Sequence, residues 1–272
     1  MSEYLKYMKP SYFDVHTHVN LKNFIGKEDE VIKEALNAGV WMVNVGTDIE
    51  TSRKAVALSE GYGKGVYATV GFHPIYIGKE KFEYETFFDT ASSPEVVAVG
   101  ECGLDYFHIR DPHLIKEQKE VFVSQIEIAN RLKKPLMLHI RSGPAGNAYA
   151  DSLELIKLYA RVPGNSHFFS GTIDEAKEFL SLGFSLSFTG VVTFASDYDE
   201  LVRLPPLEMV MAETDAPYVS PLSVRGKENR PVYVREVADR IADIRFEPNE
   251  DVIGALFENG CRLFNVCTGH RS

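Results

Sequence analysis

At 272 residues, with 44% hydrophobic and 25% charged side chains, the chain has ordinary globular composition and enough apolar material for a sizeable core. Its 39 acidic and 29 basic residues leave a formal net charge of −10, which gives no global attraction to nucleic acid or to an anionic membrane. The three cysteines, Cys102, Cys261 and Cys267, are odd in number and lack Cys-x-x-Cys spacing, so neither a disulfide framework nor a thiolate metal site is expected and a reducing compartment is implied. No apolar segment follows Lys6 and Lys9, and no apolar run reaches the length of a membrane span, so a soluble cytoplasmic protein is the expectation.

The first element is a short apolar run ending in Phe13-Asp14-Val15-His16-Thr17-His18. In a strand, residues two apart share a face, so His16 and His18 look into one cavity. Residues 28–38 read as a helix with Val31, Ile32, Ala35 and Leu36 on one side and Gly39 closing it. A strand over 40–45 and a helix over 51–60 follow. The glycine-rich stretch 61–65 precedes the next strand instead of following one, which argues against a phosphate loop. That strand, 66–70, ends in Gly71-Phe72-His73-Pro74. After a short helix at 80–90, a strand at 96–99 runs into Gly100-Glu101-Cys102-Gly103-Leu104-Asp105. Asp111-Pro112 starts a helix that continues to about Leu132, with an N-cap followed by proline in the first turn. The strand at 135–138 ends in His139-Ile140-Arg141, and a helix is expected over 151–159. A short strand then ends in His167, a helix covers 173–181, and a strand covers 184–188. The last strand, 209–212, ends in Glu213-Thr214-Asp215. A polar loop and helices near 232–243 and 250–264 complete the chain, with Asn249 as the expected N-cap of the final one.

Eight continuously apolar strands alternating with helices at this length predict a (β/α)8 TIM barrel in a single domain spanning 1–272, with both faces of the sheet buried. Catalytic groups of such barrels lie at the C-terminal ends of the strands. Those positions hold His16, His18, His73, Glu101, His139, His167 and Asp215. A single histidine there reads as a hydrogen-bonded core residue, but the set collected on one rim reads as a site. Imidazole and carboxylate ligands without thiolate suit Zn²⁺, Mn²⁺, Mg²⁺ or Fe. Four histidines and two carboxylates exceed what one catalytic ion with an open position needs, and they fit two ions sharing a carboxylate.

The stretches 13–18, 71–74, 100–106, 139–141, 167–171 and 213–218 together resemble the TatD family of metal-dependent deoxyribonucleases, within the amidohydrolase superfamily. Ser187-Phe188-Thr189-Gly190, Val192-Thr193-Phe194, Arg225-Gly226-Lys227, and Asn259 with Arg262-Leu263-Phe264 extend the resemblance along nearly the whole chain. It implies that His16, His18 and Asp215 hold one divalent ion, that His139 and His167 hold a second, and that Glu101 bridges them. It makes Asp215 the general base as well, and places His73 and Arg141 against the scissile phosphate. The resemblance implies DNA or another nucleic acid as substrate, cleaved from a 3′ end by a monomer without membrane attachment. Ester hydrolysis of a D-aminoacyl-tRNA or of a small ester or amide would use the same site, and a non-catalytic metal-binding protein is a third reading.

Arg225, Lys227 and Arg230 form a local basic patch that could guide a phosphate backbone or be a solvated loop. Tyr106 and Phe107 could stack a base or pack the rim, and Cys102 reads as packing. Two departures from the family pattern bear on substrate preference. Asn20 stands where an aspartate is usual, and the loop 142–150 is longer and richer in glycine.

Overall fold

The computed structural model describes residues 11–267; Lys6 and Lys9 lie outside the described residues. Strands β1 (Tyr12–Thr17), β2 (Val40–Val45), β3 (Val66–Val70), β4 (Val96–Asp105), β5 (Leu136–Arg141), β6 (Gly164–Ser166), β7 (Phe184–Phe188) and β8 (Val210–Ala212) form one parallel eight-stranded sheet in sequential order. The helices between and after them are α1 (Glu28–Asn37), α2 (Ile49–Tyr62), α3 (Tyr84–Ala91), α4 (Pro112–Leu132), α5 (Ala148–Tyr159), α6 (Ile173–Ser181), α7 (Asp199–Arg203), α8 (Val234–Arg245) and α9 (Asn249–Phe264). Backbone hydrogen bonds from Asp215 N–H to the His16 carbonyl (2.9 Å) and from His18 N–H to the Ala216 carbonyl (2.8 Å) draw the end of β8 onto β1. The result is the nearly closed (β/α)8 barrel that the alternating pattern predicts.

Most strand positions are buried on both faces, because the barrel interior covers one side and the helices the other. Along β1, Phe13 turns outward and packs on Phe257 and Phe264 of α9, with ring centroids 6.1 and 5.9 Å apart. Asp14 and His16 consequently share the opposite face. At Gly103 (φ +141°) an added Cβ would collide with the His139 carbonyl, so glycine is what lets β4 and β5 lie close beside the site.

The structure differs from the sequence expectations in particular places. β4 runs to Asp105 and β5 to Arg141, past the apolar runs, because Gly103, Leu104 and Asp105 stay paired with His139, Ile140 and Arg141. A short α7 links β7 to β8. Asp111 caps α4 as expected, accepting from His113 N–H at 2.8 Å. Asn249 does not cap α9; Pro248 occupies the cap, and the Asn249 amide donates instead to Asp239 on α8 (3.0 Å). Cys261 and Cys267 are joined in a disulfide with Cα atoms 5.1 Å apart, contrary to the reading of the cysteines. The physical reason is local: α9 ends at a left-handed Asn265 (φ 53°), which turns the chain back toward Cys261. The argument for a reducing compartment loses that support. No helix among the described residues is long and apolar enough to cross a membrane.

Candidate metal centre

Two donor cages meet on Glu101. The first grows from β1. His18 Nδ1 lies 2.9 Å from the Val45 carbonyl oxygen, which can only accept, so Nδ1 carries the proton and Nε2 presents a lone pair. That Nε2 lies 3.1 Å from His16 Nε2. Glu101 Oε2 stands 3.5 and 3.6 Å from the two nitrogens, and Asp215 Oδ1 stands 3.9 and 3.4 Å from them. Ligands about 2.0–2.1 Å from a tetrahedral zinc ion are about 3.3–3.4 Å from one another, so the His16, His18 and Glu101 atoms are spaced much as ligands of one cation, with Asp215 Oδ1 beside both nitrogens. Asp215 reaches the cage from a left-handed backbone (φ 54°), a conformation that aspartate tolerates.

The second cage uses the other carboxylate oxygen. Glu101 Oε1 lies 2.9 Å from His139 Nδ1 and 3.4 Å from His167 Nε2. Each imidazole is oriented through its far nitrogen, His139 Nε2 by Asp105 (3.1 Å) and His167 Nδ1 by Glu213 (3.0 Å). A carboxylate on the outer nitrogen fixes the ring and raises its basicity toward a metal. Glu213 also accepts from Phe168 N–H and from the Ser187 hydroxyl, both at 2.7 Å. Buried Asp14 accepts from Thr214 N–H (2.8 Å) and ties β1 to the segment after β8. Sequence reasoning assigned no role to Asp14, Asp105 or Glu213. Their signal was a carboxylate within a few residues of a ligand position, inside a stretch already singled out.

His73 also meets Glu101 Oε1, at 3.3 Å, but in a different role. Ile75 N–H donates to His73 Nδ1 (3.1 Å), so the proton of the neutral ring sits on Nε2. His73 therefore presents an N–H toward Glu101 Oε1 on the cavity wall.

The electrostatics show a cluster that calls for positive charge. Burial alone would raise the Glu101 carboxyl, but His73, His16 and His139 hold it well below the usual carboxylate range. Burial opposes charge on His167, yet Glu213, Glu101 and Asp215 push its imidazole up to about 10. His18 is raised against burial by Asp215 and Glu101, and His139 by Asp105 and Glu101. Burial and the neighbouring His167 push His16 down to about 3, and burial with His139 pushes His73 down to about 4. The carboxylates raise His18, His139 and His167 because they favour positive charge placed among them.

The cages open into a cavity of about 490 Å³ at the C-terminal mouth, lined also by Arg141, Tyr76 and Tyr218. Arg225 is not on that wall; its guanidinium lies 4.1 Å from the ring centre of Phe194. Arg230 is not available to a phosphate as the basic patch requires, because Glu30 and Glu34 of α1 take its guanidinium at 2.9 and 2.8 Å. Lys227 is exposed. Tyr106 is buried and donates to Asp151 (2.6 Å), whereas Phe107 is 42% exposed beside the loop after β5. Asn20 donates to the carbonyls of Val45 (2.9 Å) and Thr51 (3.0 Å), which an aspartate could not do. It thereby holds the same carbonyl that orients His18. Cys102 is buried, and its thiol is pushed up by burial and by Glu101, in keeping with a packing role.

A barrel carrying this histidine and carboxylate cluster at its strand ends is that of a metal-dependent hydrolase. The model of a family described as TatD related DNase matches residues 13–265, and the chain belongs to that family. It is 35% identical over 260 residues to an uncharacterized metal-dependent hydrolase, YabD, of Bacillus subtilis (strain 168), covering 93% of this chain and 99% of that one. It is 32% identical over 263 residues to a 3'-5' ssDNA/RNA exonuclease TatD of Pantoea vagans, covering 93% and 99%. The crystal structure of YJJV, a TatD homologue from Escherichia coli K12, superposes with a TM-score of 0.84 at 29% identity, covering 95% of this chain and all of that one.

Proposed function

We propose that this hydrolase cleaves phosphodiester bonds of single-stranded nucleic acid, DNA foremost, using two divalent ions (Mg²⁺, Mn²⁺ or Zn²⁺). His16, His18 and Asp215 would hold one ion and His139 and His167 the other, with Glu101 bridging. The observation that carries the reading is the division of Glu101, one carboxylate oxygen in each cage. Two bound divalent ions supply Lewis-acid polarisation of a phosphoryl oxygen and acidify attacking water.

The protein's own groups do the rest. Asp215 lines the cavity and takes the proton from the nucleophilic water. His73 donates its Nε2 proton to a non-bridging oxygen of the scissile phosphate, and Arg141 neutralises phosphate charge from the cavity wall. Asp105 and Glu213 keep the second-cage imidazoles aimed during turnover. Attack on nucleic acid from the 3′ end is supported by the name of the Pantoea vagans relative.

The test is turnover on 3′-labelled single-stranded DNA, RNA and a D-aminoacyl-tRNA, before and after chelation and with each metal restored. Release of nucleotides from DNA, lost with chelator and regained with metal, is expected. Turnover confined to the aminoacyl ester, or metal-independent cleavage, would overturn the proposal.

A further inference from the structure

Several large apolar side chains are exposed on the described surface, and two of them, Phe107 (42%) and Phe194 (36%), have an arginine seated over the ring. Arg141 lies 4.2 Å from the centre of Phe107, and Arg225 lies 4.1 Å from the centre of Phe194. Both pairs are on the rim of the mouth. Phe107 follows β4 and Arg141 ends β5; Phe194 follows β7 and Arg225 follows β8. They therefore stand apart around the ring, with the metal cavity opening between them and Arg141 lining it.

Neither ring is carried by a loose loop. A Cβ at Gly143 would lie 2.5 Å from Phe107 Cα, so the glycine loop after β5 presses directly on the Phe107 backbone. Leu222 N–H donates to Thr193 Oγ1 at 2.8 Å, which ties the Phe194 segment to the one carrying Arg225.

We infer that Phe107 and Phe194 are stacking platforms for unpaired nucleobases on the two sides of the scissile phosphate, each backed by an arginine that meets the adjoining phosphate. A phenyl ring capped on one face by guanidinium keeps an edge and a face for a base, and base–aromatic stacking is tolerant of sequence. Paired bases hide their faces, so the arrangement selects single strands. It also accounts for how a chain of net charge −10 can hold a polyanion: attraction is confined to the rim. The inference rests on the phosphodiesterase reading above and specifies what that site recognises beyond the phosphate.

The experiment compares a single-stranded oligonucleotide with one of equal length that is abasic at its two 3′-terminal positions, using metal-loaded protein. Wild type is expected to favour the base-bearing strand about a hundredfold in kcat/KM, and Phe107→Ala or Phe194→Ala to lower that ratio about tenfold each. Phe107→Trp and Phe194→Trp should hold or raise the ratio, which a merely structural role would not do. Phe107→Leu and Phe194→Leu serve if the alanine variants fail to fold. Hydrolysis of bis(p-nitrophenyl) phosphate, which has no base, separates the two levels of the argument. Wild type that cleaves this diester but shows no preference between the oligonucleotides, or variants that keep the wild-type ratio, overturn the platforms alone. Wild type that cleaves neither oligonucleotide nor diester overturns the phosphodiesterase reading and the platforms together.

Discussion

The two ends of the barrel carry cavities of opposite character. The one at the N-terminal end is larger, about 1070 Å³, and is walled by Tyr12, Ala38, Ile253, Gly254 and Phe257, with charges such as Arg235 and Glu250 at its edge. The donor-lined cavity at the C-terminal end is less than half that size, about 490 Å³, and its wall includes His18, His73, Glu101, His139, His167 and Asp215. Size ranks them one way and chemistry the other. The larger space adjoins Ser11 and Cys267, the first and last described residues, and it gathers no group of metal-ligating side chains. In the smaller space His18, His73, His139 and His167 are each oriented through the far ring nitrogen, by the Val45 carbonyl, Ile75 N–H, Asp105 and Glu213. Barrel chemistry belongs to the strand ends that can aim side chains inward, and here that is the C-terminal end.

Removing Glu101 should have the largest effect, because both cages lose a ligand at once. Glu101→Ala is expected to bind neither divalent ion tightly and to lower kcat by on the order of 10³-fold or more. Metal content by elemental analysis, read alongside turnover, checks this. A variant that keeps two ions and half its activity would break the contrast between the two cavities at its root.

Much of this end was legible in the sequence, and the reason is periodicity. Two residues per strand repeat bring His16 and His18 to one cavity, and Glu101, His139 and Asp215 follow apolar runs recognisable as strands, whereas His167 follows only Gly164-Asn165-Ser166. What could not be read depends on partners distant in the chain. Glu213 meets His167 across a separation of 46 residues, and Asp14 meets Thr214 across 200. The sequence leaves Arg230 as either a phosphate guide or part of a solvated loop; its partners Glu30 and Glu34 lie 200 and 196 residues away. The ends of β4 and β5 were missed for a related cause. Polar residues after an apolar run read as loop, but in this barrel mouth they continue the strands, buried in β4 and reaching the exposed Arg141 in β5.

Glu213→Gln tests the outer layer of the same cavity. The amide can still accept from Phe168 N–H, but it cannot match the carboxylate on His167 Nδ1. Metal affinity at the His139 and His167 cage should fall about 10- to 100-fold, with the fold retained. The pH dependence follows from the raised imidazoles. A group whose pKa is raised holds its proton until the pH climbs past that value, and the proton must leave before the nitrogen can bind metal. His18, His139 and His167 are all raised, His167 to about 10, so wild-type metal affinity should increase with pH from 6 to 8. Titration calorimetry in buffers of different ionisation enthalpy should show protons released on binding. In Glu213→Gln fewer should be released, since the first cause raising His167 has been removed. Equal release in both proteins would mean that Glu213 does not govern the His167 proton.

The smallest effect on activity is expected from the larger cavity. Phe257 packs between Phe13 and Trp41, with ring centroids 6.1 and 5.2 Å away, and lines the N-terminal space. Phe257→Leu removes aromatic contact without adding a polar group, so it should cost about 1–2 kcal/mol of stability and lower Tm by a few degrees. Because Phe13 and His16 leave β1 on opposite faces, loosening the ring around Phe13 leaves the imidazole aimed, and kcat should stay within about twofold of wild type. Thermal denaturation and turnover on the same preparation decide it. A tenfold fall in kcat at an unchanged metal content would mean that packing at the apolar end reaches the cages through β1, and that the two cavities are one mechanical unit.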